Sequence, residues 1–143
     1  MPLKKGFLSR SPFCVSWSQQ VVAASLLTTH GLFTNPLANG EYYEFLGADW
    51  SLDVLSTSGT LDLRVVPVST AFTGGATLLA TAANIDLNAT ARVARKASIT
   101  TNRVTRQIKP GSMISMIFAG TLTSLVGLNV NVWLQAMRGI RTR

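Results

Sequence analysis

The sequence predicts an all-β chain, an antiparallel sandwich of about eight short strands with an extended N-terminal arm. Two observations carry this. Apolar and polar residues alternate with a period of two, as in Leu61-Asp-Leu-Arg-Val65 and again from Leu128 to Leu134. There Leu128, Val130, Val132 and Leu134 fall on one side, and Asn129, Asn131 and Trp133 on the other. Turn residues also interrupt the chain at short intervals: Asn35-Pro36, Asn39-Gly40, Ser56-Thr-Ser-Gly59, Thr73-Gly74-Gly75 and Pro110-Gly111. With 143 residues the chain is long enough for one domain with a sizeable core.

Residues 1–40 are expected as the arm. Lys4, Lys5 and Arg10 precede a mixed stretch, Phe13 to Leu27, whose apolar run is broken by Ser16, Ser18, Gln19 and Gln20. A secretory leader would have a clean apolar centre and a small-residue cleavage site, so none is read there. Within the arm, Gln20 to Ala24 is strand-like. The sandwich itself opens with Tyr42 to Leu46, and Gly47-Ala-Asp49 turns the chain into Trp50 to Leu55, where Trp50, Leu52 and Val54 share a face.

Leu61 to Val65 follows and ends at Pro67, which cannot donate to a ladder. Thr77 to Ala82, Ile85 to Ala91 and Lys96 to Thr101 are read as further strands, although residues 76–83 also suit a short helix by propensity. Met113 to Ala119 is apolar on both sides except for Ser115. Such a strand is covered on both faces, by a second sheet or another subunit. It is expected to form a hairpin with Leu128 to Leu134 across a Gly/Thr/Ser turn. The sandwich then spans residues 41–136, with a basic tail over 137–143. Eight strands in one antiparallel domain favour a jelly roll.

Charge and hydropathy bear on partners. The 47% of hydrophobic residues and the mean hydropathy of +0.29 are high for a free monomer, and no run approaches the roughly 20 apolar residues of a membrane-crossing helix. The excess apolar surface points to contacts in an assembly. The net charge is +7, and all six acids (Glu41, Glu44, Asp49, Asp53, Asp62, Asp86) lie in residues 41–86, where Arg64 is the only base. Residues 1–40 and 87–143 carry bases alone, so an anionic partner is indicated.

No reaction centre is legible. His30 is the only histidine and Cys14 the only cysteine, which removes an internal disulfide and the usual zinc sets. Cys14, between Phe13 and Val15, reads as a small packed hydrophobe. Gly74-Gly75 lacks the lysine of a phosphate loop, and the acids of 41–53 lack the order of a calcium loop. Neither an enzyme, a metal site nor a cofactor is read from this sequence.

The succession Leu61-Asp-Leu-Arg-Val-Val-Pro67, Gly74-Gly75, Ile85-Asp-Leu-Asn-Ala-Thr-Ala91, Pro110-Gly111 and Phe118 to Leu134 resembles the jelly-roll capsid decoration (cement) proteins of tailed bacteriophages. The resemblance spans roughly residues 60–135. It implies a virion protein, often a homotrimer, placed on the outer surface of the capsid and clamping neighbouring copies of the major capsid protein. It carries over no functional residue.

The contacts are therefore read from the sequence itself. Docking on an acidic capsid surface is expected from Lys4, Lys5, Arg10, Arg92, Arg95, Lys96, Arg103, Arg106, Lys109, Arg138, Arg141 and Arg143, with Phe7, Phe13 and Trp17 as apolar anchors. The bases around Ile99 are expected in loops at the two ends of the sandwich. Trp133, with Asn129 and Asn131 on the same face, is expected at a contact between subunits, and Trp50 in the core. No aromatic falls between Thr73 and Ile117, where the basic cluster lies, which argues against stacking on nucleic acid. A second reading is a virion-surface module binding glycans or host envelope, and it requires an exposed aromatic platform beside paired acids or amides.

Overall fold

The computed structural model describes residues 11–38 and 40–138. It contains ten strands: β1 (Phe13–Ser18), β2 (Thr29–Thr34), β3 (Glu41–Ser51), β4 (Thr60–Val66), β5 (Ala76–Thr77), β6 (Ile85–Asp86), β7 (Arg95–Lys96), β8 (Gln107–Ile108), β9 (Met113–Ala119) and β10 (Asn129–Arg138). Sheet I has the order β1-β10-β3-β7, with β8 also on β3, and sheet II the order β2-β9-β4-β5, with β6 also on β4. All these pairings are antiparallel.

The pairs are nested. β1 lies with β10, β2 with β9, β3 with β7 and β8, and β4 with β5 and β6. One long antiparallel ribbon has thus been rolled into two facing sheets of four strand positions each, which is a jelly roll. The inward halves of the alternations meet between the sheets. Phe45, Val130, Val132 and Leu134 from sheet I and Leu61, Leu63, Ile114 and Met116 from sheet II are all fully buried. Trp50 joins them, as expected.

Several elements differ from the sequence reading. Residues 13–34, read as part of an arm, enter the sandwich as β1 and β2. The serines that seemed to break an apolar run are the outward half of a strand: Val15 and Trp17 stand opposite the inward Val132 and Val130, while Ser16 and Ser18 stand opposite the outward Asn131 and Asn129. Gln20 to Ala24 forms no strand; a single 3-10 turn covers Ala23–Ser25. Met137 and Arg138, read as tail, close β10.

Tyr42 to Leu46 and Trp50 to Leu55 are not two strands with a turn between them. They belong to one strand, β3, with an irregularity in the middle. Trp133 faces Gly47 and Leu134 faces Phe45, so Leu46 is the extra residue of a β-bulge. The bulge changes the phase of the alternation: Tyr43 and Phe45 point inward before it, Ala48 and Trp50 after it.

The expected hairpin of Met113–Ala119 with Leu128–Leu134 is absent, because β9 lies in sheet II and β10 in sheet I. Their connection, residues 120–128, is longer than a hairpin loop of roughly 2–5 residues and crosses a gap of about 10 Å between sheets. The cover on the outer side of β9 comes from the chain itself. The loop 67–75 folds back over sheet II, where Ser115 Oγ donates to Phe72 O (2.8 Å) and the Phe72 ring lies against Gly31. Arg64 holds the same loop through Thr73 O (2.7 Å) and binds the buried Asp62 at 2.8 Å.

Residues 77–101 hold shorter strands than expected. Between β5 and β7 the chain joins a sheet only at β6, and the segments 78–80 and 98–100 join each other through Ala80 N–Ser98 O (2.8 Å) and Thr100 N–Leu78 O (2.9 Å). This seam closes one side of the sandwich over the buried Leu78 and Leu79. No helix among the described residues is long and apolar enough to cross a membrane.

Candidate functional site

The basic cluster lies along one edge of sheet I, not in loops at opposite ends of the sandwich. β7 and β8 are each two residues long and both pair with β3, so the bases flanking them string out beside that one strand. Arg92 is tied to Leu52 O by its backbone N–H (2.7 Å), Arg95 and Lys96 stand opposite Trp50 and Asp49, and Arg106 O accepts from Phe45 N (2.8 Å). Lys109 follows β8, and Arg103 is exposed in the loop between β7 and β8.

Alternation then divides these bases. Arg95, opposite Trp50, has the inward phase, and Arg106, beside Phe45, has it too. At a sheet edge such side chains run along apolar surface and emerge at the rim. In both, Nε is buried with no hydrogen-bond partner. Lys96 has the outward phase and stands on the outer face of sheet I across from Asp49. Among the described residues, ion pairs within 4.0 Å involve only Arg64 with Asp62 and Arg138 with Glu41 (3.7 Å). Arg92, Arg95, Lys96, Arg103, Arg106 and Lys109 therefore have no carboxylate within that distance.

The outer face of sheet I carries a polar ladder. Ser18 Oγ donates to Asn129 Oδ1 (2.6 Å) and Ser16 Oγ to Asn131 Oδ1 (2.6 Å). Asn131 Nδ2 donates to Asp49 Oδ1 (2.7 Å), and Trp133 Nε1 to Asp49 Oδ2 (2.9 Å). Trp133 is 41% exposed, as its alternation with the Leu/Val stripe requires. Cys14, in register with Trp133 on the same face, is half-buried, with Sγ 3.6 Å from Ser16 Oγ. It is thus less enclosed than its apolar neighbours suggest.

A third feature sits at the end of the sandwich where the loops 19–28, 52–59, 87–94 and 120–128 gather. Val21, Val22, Leu27, Val54 and Val126 are exposed there, beside a groove of about 630 Å³ between residues 19–24 and 122–127. Sequence reasoning missed this surface, because Val21 and Val22 were read into the strand-like stretch Gln20 to Ala24 and Val126 into the turn before Leu128.

The remaining expected contact residues are placed as follows. Trp17, half-buried, packs on His30 (5.3 Å between ring centroids) and Phe118 (5.9 Å), and Phe13 packs on Tyr43 (5.4 Å) and Phe33 (6.2 Å) while remaining exposed. Arg138 is paired with Glu41. Lys4, Lys5, Phe7, Arg10, Arg141 and Arg143 lie outside the described residues. His30 Nε2 donates to Leu27 O at 3.0 Å, a bond that assigns the hydrogen to that nitrogen. Among the described residues no three of His, Cys, Asp and Glu come together as a metal site.

No family model and no curated protein matches the sequence. Among solved structures, the chain is similar to one in the cyanophage Pam1 capsid asymmetric unit, at 12% identity and a TM-score of 0.44 over 91% of this chain and 84% of that one. It is also similar to chains of infectious bursal disease virus, Gx strain (14% identity, TM-score 0.37) and Gt strain (15%, 0.35), covering 38% and 37% of those chains. The jelly roll assigned above rests on this chain's own strand pairings.

Proposed function

We propose that this chain is a structural virion protein that sits on the outer surface of a capsid and cements neighbouring subunits of the major capsid protein. The observation that carries the reading is the rim of sheet I. Arg92, Arg95, Arg103, Arg106 and Lys109 line it without a carboxylate partner, and two of their guanidinium groups have a buried, unsatisfied N–H. An acidic surface laid against the rim supplies acceptors to the guanidinium and ammonium groups that reach it, bidentate ones for arginine.

The apolar end suits a different partner. Val21, Val22, Leu27, Val54 and Val126 are apolar, so in this reading they join copies of the chain, three of them as in the phage proteins it resembles. A protein that binds the assembled lattice and not its separate subunits stabilises the lattice by mass action. Several modest rim contacts per trimer add through multivalency. The protein makes and breaks no covalent bond in this role.

The test is reconstitution. Particles stripped of this chain and reloaded with it are expected to release their genome at a higher temperature than bare particles, with the chain co-sedimenting. Raised salt should remove both effects together, since exposed charges are screened within a Debye length of about 8 Å at physiological ionic strength. Identical release temperatures and a chain left in the supernatant overturn the reading.

A further inference from the structure

We propose that the outer face of sheet I holds a binding site for an acidic sugar, a pyranose bearing a carboxylate, built on Trp133, Asp49 and Lys96. The β-bulge makes room for it. Trp133 stands directly opposite Gly47, and a Cβ added at that glycine would meet nothing within 4 Å, so the strand beside the indole is bare backbone under open space. The result is a concavity of about 380 Å³, with Pro12, Leu46 and Ile99 among its walls. Bulges recur beside binding sites because they re-aim the side chains next to them.

The chemistry inside selects the ligand. The Trp133 ring is 41% exposed, yet its Nε1–H is fixed on Asp49 Oδ2 at 2.9 Å. A large apolar ring is thereby held in one orientation and offered to solvent. The electron-rich face of an indole attracts the polarised C–H bonds on the flat side of a pyranose. Asp49 is held from its other oxygen by Asn131 Nδ2 (2.7 Å), itself bonded to Ser16 Oγ (2.6 Å). Each carboxylate oxygen keeps a further lone pair for a sugar hydroxyl.

Lys96 faces Asp49 across the strand pair, yet no ion pair forms between them within 4.0 Å. Lys96 lines the concavity with no ion pair among the described residues, and its ammonium selects the anionic sugar over the neutral one. A few placed polar groups around an apolar floor are the usual make-up of a small-ligand site. This face is separate from the rim that carries Arg92, Arg95 and Arg106, so the site does not depend on lattice docking.

A printed array of neutral, uronic-acid-bearing and sialic-acid-bearing glycans tests it with the full chain. Retention is expected on acidic glycans and is lost in Trp133→Ala. Lys96→Gln is expected to weaken acidic glycans about tenfold, towards the level of neutral ones, the loss of one charge-assisted hydrogen bond. Lys96 is exposed, so this variant keeps the fold and remains informative if Trp133→Ala does not. The proposal is overturned if no acidic glycan is retained above the neutral ones, and a set of signals that Lys96→Gln leaves unchanged overturns it too. So does a fall in the solution mass of Trp133→Ala, which would assign the ring to a contact between copies.

Discussion

Asn35 is almost fully buried and uses its whole side chain. Its Nδ2 donates to Ile108 O (2.6 Å), and its Oδ1 accepts from Leu37 N (2.7 Å). Its backbone reaches the same neighbours, donating to Ser112 O (2.9 Å) and accepting from Gly111 N (3.1 Å). One residue thus pins the loop after β2 to the loop before β9. Asn35→Ala leaves a buried donor and a buried acceptor unpaired, at about 1–3 kcal/mol each. At roughly 3 °C per kcal/mol for a domain of this size, the thermal midpoint should fall by about 6–18 °C, measured by circular dichroism. A midpoint within a degree of the parent's would mean water replaces both bonds. In the sequence Asn35-Pro36 was legible as a turn. Its burial was not, because that depends on a loop more than 70 residues further on.

Among the elements, β3 shows what a period-two pattern reveals and what it hides. β10 was legible as far as Leu134 because one face is apolar and the other carries Asn129, Asn131 and Trp133, and Trp133 was rightly expected to face outward. β3 carries the same pattern in two phases, and the Leu46–Gly47 step that shifts one into the other reads locally as a turn. The partner of each strand was also hidden. An apolar run marks β9 and alternation marks β10 as strands, but their sheets are set by the 120–128 connection and by the pairing of β10 with β1 and β3. Likewise, that Arg95 and Lys96 point to opposite sides was available only once the start of β7 was known.

The bulge yields a sharp expectation. Deleting Leu46 while keeping its neighbours brings β3 into one phase. Tyr43, Phe45, Ala48 and Trp50 then fall on one face of a regular strand, with Phe45 still opposite Leu134, Gly47 opposite Trp133 and Ala48 opposite Val132. The deletion variant should therefore keep a cooperative thermal transition, measured by circular dichroism. Leu46→Ala keeps the count of residues and should melt within a few degrees of the parent, because Leu46 is only half-buried. If the deletion abolishes the transition, Leu46 does more than shift the phase of the alternation.

At the scale of the whole molecule, charge and hydropathy are sorted onto different surfaces, and this separates assembly from docking. The rim of sheet I is cationic, while the loop end carrying Val22 and Leu27, 70% and 67% exposed, is apolar. Surface substitutions away from special sites usually change stability by about 0.5 kcal/mol or less, so both surfaces can be altered in a folded chain. In the proposed function, Arg92→Glu with Arg103→Glu and Lys109→Glu should abolish sedimentation with particles and leave the mass of the free protein unchanged. Val22→Asp with Leu27→Asp should do the reverse at first sight: the mass falls to one chain while every rim contact remains. Yet particle binding should fall as well, by about 10²–10⁴ in affinity, because single rims no longer share one effective concentration. Light scattering and sedimentation on the same samples read both quantities. A monomeric variant that binds particles as tightly as the parent would show that each rim holds the lattice alone, and the joining of copies would then need another explanation.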